Sequence, residues 1–221
     1  MDDTHSGERP GKPGGKRDQN RREKIALLCD AALPLFLERG IERVTIDDIT
    51  QQAAIAKGSF YRYFPDKTAL VATLMAPLDE VIHDAMDRCA VALRTVSSRG
   101  SLLGAYSELG AQIAGVIFRY PDVVRLYLQE CRSPMTGARA PVRKLADMIT
   151  NRAIQLTATA ISHGLLRPFE PSVSALAVVG ASEQLLFTYL SGNLNANPAA
   201  VPAQLASLVL EGLRGSAEID K

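Results

Sequence analysis

The sequence predicts an all-α protein, and three observations carry the prediction. From Arg21 onward, apolar residues recur at spacings of three and four, the period of helices with one buried face. No run alternates β-branched and polar residues as a strand would. The segments between the periodic stretches are short and carry Gly, Pro, Asn or Asp, the residues that start and stop helices. About nine helices are expected, in two parts that follow a basic arm: residues 1–19, 20–66 and 67–221.

The first nineteen residues are rich in Gly, Pro and charge and are expected to stay disordered. In the first helix Ile25, Leu28, Cys29, Ala32, Leu35 and Phe36 share a face, and Gly40 ends it. Pro34 removes the N–H that would bond to Asp30, so a kink or local break is expected there. Thr45 caps a second helix, with Asp47 and Asp48 at its positive end and Ile46, Ile49 and Ala53 facing inward until Ala54. A third runs from Lys57 to just before Pro65, because a residue preceding proline leaves the helical region. Asp66 caps a fourth that reaches about Thr95, disturbed at Pro77. Helices over 101–119 and 121–131 are split by Pro121, which suits a first helical position. After a loop at 133–141, a helix over 142–163 stops at Gly164, and 167–172 turns. The last two helices are expected over 172–190 and 202–214.

Composition excludes several classes. A hydrophobic share of 47% over 221 residues is ample for a core, and 22% charged residues is ordinary for a globular protein. The net charge is only +1, yet residues 9–29 hold seven basic residues against two acids. Cys29, Cys89 and Cys131 lie far apart with no CxxC pair, and the three histidines are scattered, so no metal site and no disulfide framework is expected. No convergent set of acid, base and nucleophile points to an enzyme, and no cofactor is implied. No apolar run approaches the ~20 residues of a membrane span, and the N-terminus lacks the apolar region of a signal peptide. A cytoplasmic protein with no membrane partner is expected.

The most informative stretch is TIDDITQQAAIAKGSFYRYFPDKTAL, Thr45 to Leu70. Phe60 and Phe64 are four apart and can face a core, leaving Lys57, Ser59, Tyr61, Arg62 and Tyr63 outside. Two exposed tyrosines beside a lysine and an arginine suit a helix laid against DNA.

The segment from Ile25 to Leu70 resembles the DNA-binding domain of the TetR/AcrR family of bacterial transcriptional regulators. Ala31-Ala32-Leu33 and Leu35-Phe36-Leu37-Glu38-Arg39-Gly40 resemble the end of its first helix, and Thr45-Ile46-Asp47-Asp48-Ile49 the start of its second. Lys57 through Lys67, KGSFYRYFPDK, is similar to the recognition helix and the entry to helix four. The resemblance implies that Thr45, Tyr61, Tyr63 and Lys67 anchor phosphates; Lys67 also joins the amides of a helix N-terminus. It implies that Lys57, Gly58 and Ser59 come within reach of base edges, Gly58 by allowing close approach. Arg62 can read a guanine or grip a phosphate. Each has a plainer reading: the tyrosines can pack partly against neighbouring helices, and Lys57 and Arg62 can be solvated charge. Arg21 and Arg22 are the candidates for contacts made by the basic arm, whose alternative is solubilising charge. Three positions depart from the family pattern: Ala54 stands where a glycine is usual in the turn, Ala56 where Ser or Thr caps the recognition helix, and Thr50 where alanine is common.

For the C-terminal part the resemblance implies a homodimer and a small-molecule pocket. Leu205, Leu208, Val209 and Gly212 on the last helix, and Ala177, Gly180, Ala181, Gln184 and Thr188 on the one before, are the expected dimer faces. Tyr106, Phe118, Tyr127, Met148 and Phe187 are the pocket candidates, with core packing as the alternative. The expected protein is a ligand-responsive regulator, a repressor by family habit. It would bind a palindromic double-stranded operator as a dimer and be released by an effector the sequence does not identify. The alternative is an activator or a broad architectural DNA binder of the same fold.

Overall fold

The computed structural model describes residues 15–96, 98–195, 197, 200, 201, 204, 205, 207 and 208. Its helices are α1 (Lys16–Arg39), α2 (Ile46–Gln52), α3 (Lys57–Phe60), α4 (Lys67–Leu93), α5 (Arg99–Arg119), α6 (Pro121–Glu130), α7 (Ala140–Ser162) and α8 (Pro171–Leu190), with a 3-10 turn at Gly137–Arg139. Val201, Gln204, Leu205, Ser207 and Leu208 are also helical, where the last helix was expected, and no strand occurs among the described residues. Residues 1–14 of the basic arm, with Val209 and Gly212, lie outside them, whereas Lys16–Gln19, expected to be disordered with that arm, are helical.

Three details differ from expectation. First, α1 begins at Lys16, ahead of the apolar pattern. Its opening turns hold no apolar face; they are supported by i,i+4 pairs, Arg22 donating to Asp18 at 2.7 Å and Gln19 to Glu23 at 3.1 Å. Second, α1 passes through Pro34 without interruption. Pro34 and Asp30 are both exposed, so the carbonyl left without a donor is open to water. α4 likewise continues through Pro77. Third, α3 is helical only over Lys57–Phe60 and continues as a turn through Tyr63. Its first residues have no side-chain cap, and Pro65 keeps Phe64, the residue after that turn, out of the helical region.

One continuous core runs through both parts. Phe36 from α1, Ile49 from α2, Phe60 from α3 and Leu70 from α4 are fully buried together, and Ile41 and Val44 of the α1–α2 loop join them. α4 is the shared spine: its N-terminal turns close the three-helix head, and its later residues, Leu78, Ile82, Met86 and Leu93, pack against α7 and α5. α6 lies against α1, and α8 packs on α7 and α6.

Two helices, Gly100–Arg119 and Pro171–Leu190, are long and apolar enough by composition to cross a membrane, which the run-based reading of the sequence passed over. Their hydropathy comes from Leu, Val, Ile, Phe and Ala, interrupted by Gly, Ser and other polar residues, so no unbroken apolar run marks them. α5 turns one side to α4, and α8 leaves Val173, Leu176 and Phe187 exposed.

Candidate nucleic-acid interface

α2 is started by a complete capping box. Thr45 Oγ1 accepts from the Asp48 amide at 3.1 Å, and the Asp48 carboxylate accepts from the Thr45 amide at 2.8 Å and from its hydroxyl at 2.6 Å. These bonds from Thr45 hold the Asp48 carboxyl below its ordinary range, with Arg39 adding to the effect. Thr50 is buried, and its hydroxyl is satisfied within the helix by donating to Asp47 O at 3.2 Å.

The turn out of α2 closes with two bonds, Ile55 N to Thr50 O at 3.0 Å and Ala54 N to Gln51 O at 3.1 Å. That pairing requires a left-handed residue at Ala54, which sits at φ 51°, the single non-glycine residue with positive φ among those described. The usual glycine is therefore missing where the backbone needs one. Ala56, the N-cap of α3, makes no side-chain bond to the helix, so the second departure is also felt locally.

From this turn α3 projects its candidate residues. Phe60 and Phe64 are buried, their rings 5.6 Å apart, which fixes the helix on the core. Tyr61 stands out at 53% exposure with its ring edge-on to Phe60; Lys57, Gly58 and Arg62 are exposed. Ser59 and Tyr63 are half-buried, Tyr63 resting on the core. A Cβ added to Gly58 would meet nothing within 4 Å, so no packing within the chain calls for a glycine there. Lys57 is paired with Asp47, each carboxylate oxygen 2.9 Å from its ammonium. Arg21 and Arg22 lie exposed on the first turns of α1.

Lys67 is placed differently from the other anchors. Its ammonium donates to Ile41 O and Val44 O at 2.7 Å and to Glu42 O at 3.2 Å, which uses all three of its donors. Burial lowers its pKa from the ordinary lysine value. A phosphate would have to displace these carbonyls. In this structure Lys67 is a peg that holds the α1–α2 loop, and through it Thr45, on the start of α4.

The same loop is held from the other side by residues the sequence reading missed. Glu130, at the end of α6, is buried, and its Oε1 accepts from the Ile41 amide at 3.1 Å. Its Oε2 lies 3.2 Å from Arg139 Nε, which is not aligned for a hydrogen bond, so that contact is an ion pair only. Glu42 accepts from the Arg139 amide at 3.2 Å. Gly137 has φ 58°, and a Cβ there would come within 2.7 Å of the Glu42 carboxylate. No motif could have marked this cluster, because Ile41 and Glu130 lie 89 residues apart.

The pocket candidates do not converge. Tyr127 is buried and donates to Glu183 Oε1 at 2.8 Å; Arg132 holds the other oxygen at 3.2 Å. Burial and the facing carboxylate push the Tyr127 phenol far above its ordinary value. Beside this pair, a cleft of about 410 Å³ between α7, α8 and the end of α6 is lined by Arg132, Arg143, Asp147, Leu176 and Glu183, among others. Phe187 lines a separate groove of about 210 Å³ with Arg125 and Leu190. Tyr106 and Met148 pack against the core, and burial pushes the Tyr106 phenol up to about 12. Phe118 is 68% exposed on α5 and lines neither of these two spaces.

On α8, Ala177 and Gln184 are exposed and Gly180, Ala181 and Thr188 half-exposed, and Gly180 also lines the cleft between α7 and α8. Leu205 is half-buried and Leu208 is 43% exposed.

Comparison with known proteins places this geometry. Residues 28–74 match the family described as bacterial regulatory proteins, tetR family. The HTH-type transcriptional regulator YuxN of Bacillus subtilis is 24% identical over 190 residues, covering 86% of this chain and 61% of that protein. TtgR of Pseudomonas putida, another HTH-type transcriptional regulator, is 32% identical over 95 residues, 41% of this chain and 45% of that protein. The matches therefore span less than two thirds of these relatives' length. Among crystal structures, the transcriptional regulator FadR from Bacillus subtilis, in complex with stearoyl-CoA, superposes with a TM-score of 0.63 at 15% identity, covering 86% of this chain and 99% of that one. That likeness extends the shared fold through the C-terminal helices.

Proposed function

The chain belongs to the TetR family of bacterial regulatory proteins, and from that premise we propose that it is a ligand-responsive repressor. It binds a palindromic operator as a homodimer and leaves it when a small molecule binds. The observation that carries the reading is α3 itself. Phe60 and Phe64 lock it to the core while Lys57, Tyr61 and Arg62 stand in solvent next to a glycine that packing does not require. In a helix-turn-helix the second helix enters the major groove, and flanking groups fix its register on phosphates. Tyr61, Tyr63 and the capped end of α2 at Thr45 grip phosphate, Arg21 and Arg22 extend the grip, and Lys57, Ser59 and Arg62 face the bases. Lys67 serves this site by holding Thr45 in place.

The dimer forms through the small-residue face of α8 and the helix that follows it, which sets two recognition helices at a fixed spacing and calls for a palindrome. The effector acts by population shift: it favours a state in which α4 swings, with Pro77 as a bend, and the recognition helices no longer match successive grooves. The Glu130–Ile41 and Arg139–Glu42 contacts support this reading, because they tie the head to α6 and the turn before α7. Acyl-CoA thioesters are the first effectors to try, since a protein of this fold was crystallised with stearoyl-CoA.

The test is a gel shift with the DNA upstream of the chain's own reading frame, repeated with acyl-CoA thioesters. A retarded band that Tyr61→Phe with Tyr63→Phe weakens at least tenfold supports the reading. Absence of any band at low salt would sink it. An effector that binds without changing operator affinity would remove the release mechanism alone.

A further inference from the structure

An acidic side chain sits where it should weaken DNA binding. Asp47 is 65% exposed in its side chain, on the first turn of α2, beside the cationic front of α3. Its neighbour Asp48 already caps the helix start, so a second carboxylate is not needed to satisfy amides there. Instead both Asp47 oxygens reach across ten residues of chain to Lys57, 2.9 Å each from its ammonium. Lys57 is the first residue of the recognition helix and the cation nearest its N-terminus. Arg62, in the turn that continues α3, makes no ion pair among the described residues, so of the two cations on this segment Lys57 is the restrained one.

We propose that Asp47 is a specificity-determining residue: it neutralises Lys57 against random phosphates and gives it up only to a base edge that arrives in register. The proposal rests on the DNA-binding reading of α3. Its physical basis is the difference between two kinds of binding. Affinity for random duplex comes from cations that release counterions, each adding about 0.9 to the slope of log affinity against log salt. A lysine closed by a bidentate carboxylate contributes little to that sum. Opening an exposed ion pair costs little in itself, but a phosphate then sets its own negative charge against the freed Asp47 carboxylate, whereas a guanine edge is neutral and accepts from the ammonium without that repulsion. Asp47 thus lowers affinity for the wrong sequence more than for the right one, a form of specificity built on a repulsive element.

The experiment uses the full chain as wild type, Asp47→Asn, Lys57→Met and the double variant, with melting curves to confirm folding. Binding is followed by fluorescence anisotropy between about 50 and 200 mM salt on a random-sequence duplex and on the duplex that wild type selects from a randomised pool. The expected result is that Asp47→Asn steepens the salt slope on random duplex by about 0.9 and tightens it roughly five- to tenfold near 0.1 M salt. On the selected duplex the gain stays below about threefold, and in the Lys57→Met background the gain on random duplex falls below about twofold. An unchanged slope, an equal gain on both duplexes, or an equal gain with and without Lys57 overturns the proposal and leaves the DNA-binding reading intact. A wild-type chain that binds no duplex at the lowest salt overturns that reading, and the proposal with it.

Discussion

At the scale of single residues, the helix-turn-helix carries two unfavourable alanines close together in one turn. Ala54 adopts φ 51°, a region that costs an L-residue about 1–2 kcal/mol. Glycine there would relieve that strain but lose about 0.5–1 kcal/mol more backbone entropy on folding. Ala54→Gly should therefore stabilise the protein by about 0.5–1 kcal/mol, seen as a higher urea midpoint with unchanged m-value. Ala56→Ser, supplying the missing cap of α3, should add about 1 kcal/mol. If either change lowers the midpoint, the turn is not strained in the way the backbone implies. Both positions were legible as departures in the sequence, since the chemistry of a turn is local. The setting of Lys67 was not. A lysine in the first turn of a helix reads the same whether its ammonium meets a phosphate or, as here, three carbonyls of a distant loop.

At the scale of elements, start signals were the most reliable guides. Thr45, Asp66 and Pro121 each open a helix where the sequence placed one, because caps act within one turn. α1 extends past its apolar pattern because charge pairs, to which a hydrophobic period is blind, support its first turns. The capping box of α2 makes a pH prediction. The Asp48 carboxyl is held below its ordinary value, mainly by bonds from Thr45. A depressed pKa favours folding through the ionised form, so this contribution is complete above the unfolded-state pKa and lost as pH falls through the folded one. Asp48→Asn should flatten that part of the acid limb of a stability profile while leaving the neutral-to-basic shape alone; a limb of unchanged slope would show the box to be unimportant. α8 allows a second test. A Cβ at Gly180 would meet nothing within 4 Å and would open toward the cleft of α7 and α8, so Gly180→Leu starts its side chain without a clash inside the chain. In the proposed dimer it would obstruct the helix contact. Sedimentation should show a larger monomer fraction and operator binding should weaken, with the melting of the monomer no lower than before, since leucine replaces a mid-helix glycine; a dimer of wild-type strength would place the interface elsewhere.

At the scale of the molecule, the sequence predicts two parts but is silent on what joins them. The all-α class and the head followed from periodicity and motif, whereas the junction depends on which distant residues fold together. Glu130 illustrates the limit: at the end of an amphipathic helix it looks like one more solvated acid, yet it is buried against Ile41 and Arg139. Removing one partner of a buried pair leaves the other uncompensated, at a cost of about 3–5 kcal/mol. Glu130→Ala also orphans the Ile41 amide in the loop that carries Thr45. Glu130→Gln keeps an acceptor for that amide and leaves Arg139 the Glu42 carboxylate at 3.9 Å, so it should cost less, about 1–2 kcal/mol. The urea midpoints should fall in that order, and Arg139→Met combined with Glu130→Gln should recover part of the loss, because the charge left without its nearer partner is then gone. If the junction also positions the head, Glu130→Ala should weaken operator binding under conditions where it remains folded, and Glu130→Gln should restore most of it. A Glu130→Ala protein that lost less than about 0.5 kcal/mol and bound operator as wild type does would show that the two parts are held together by the apolar core of α4 alone.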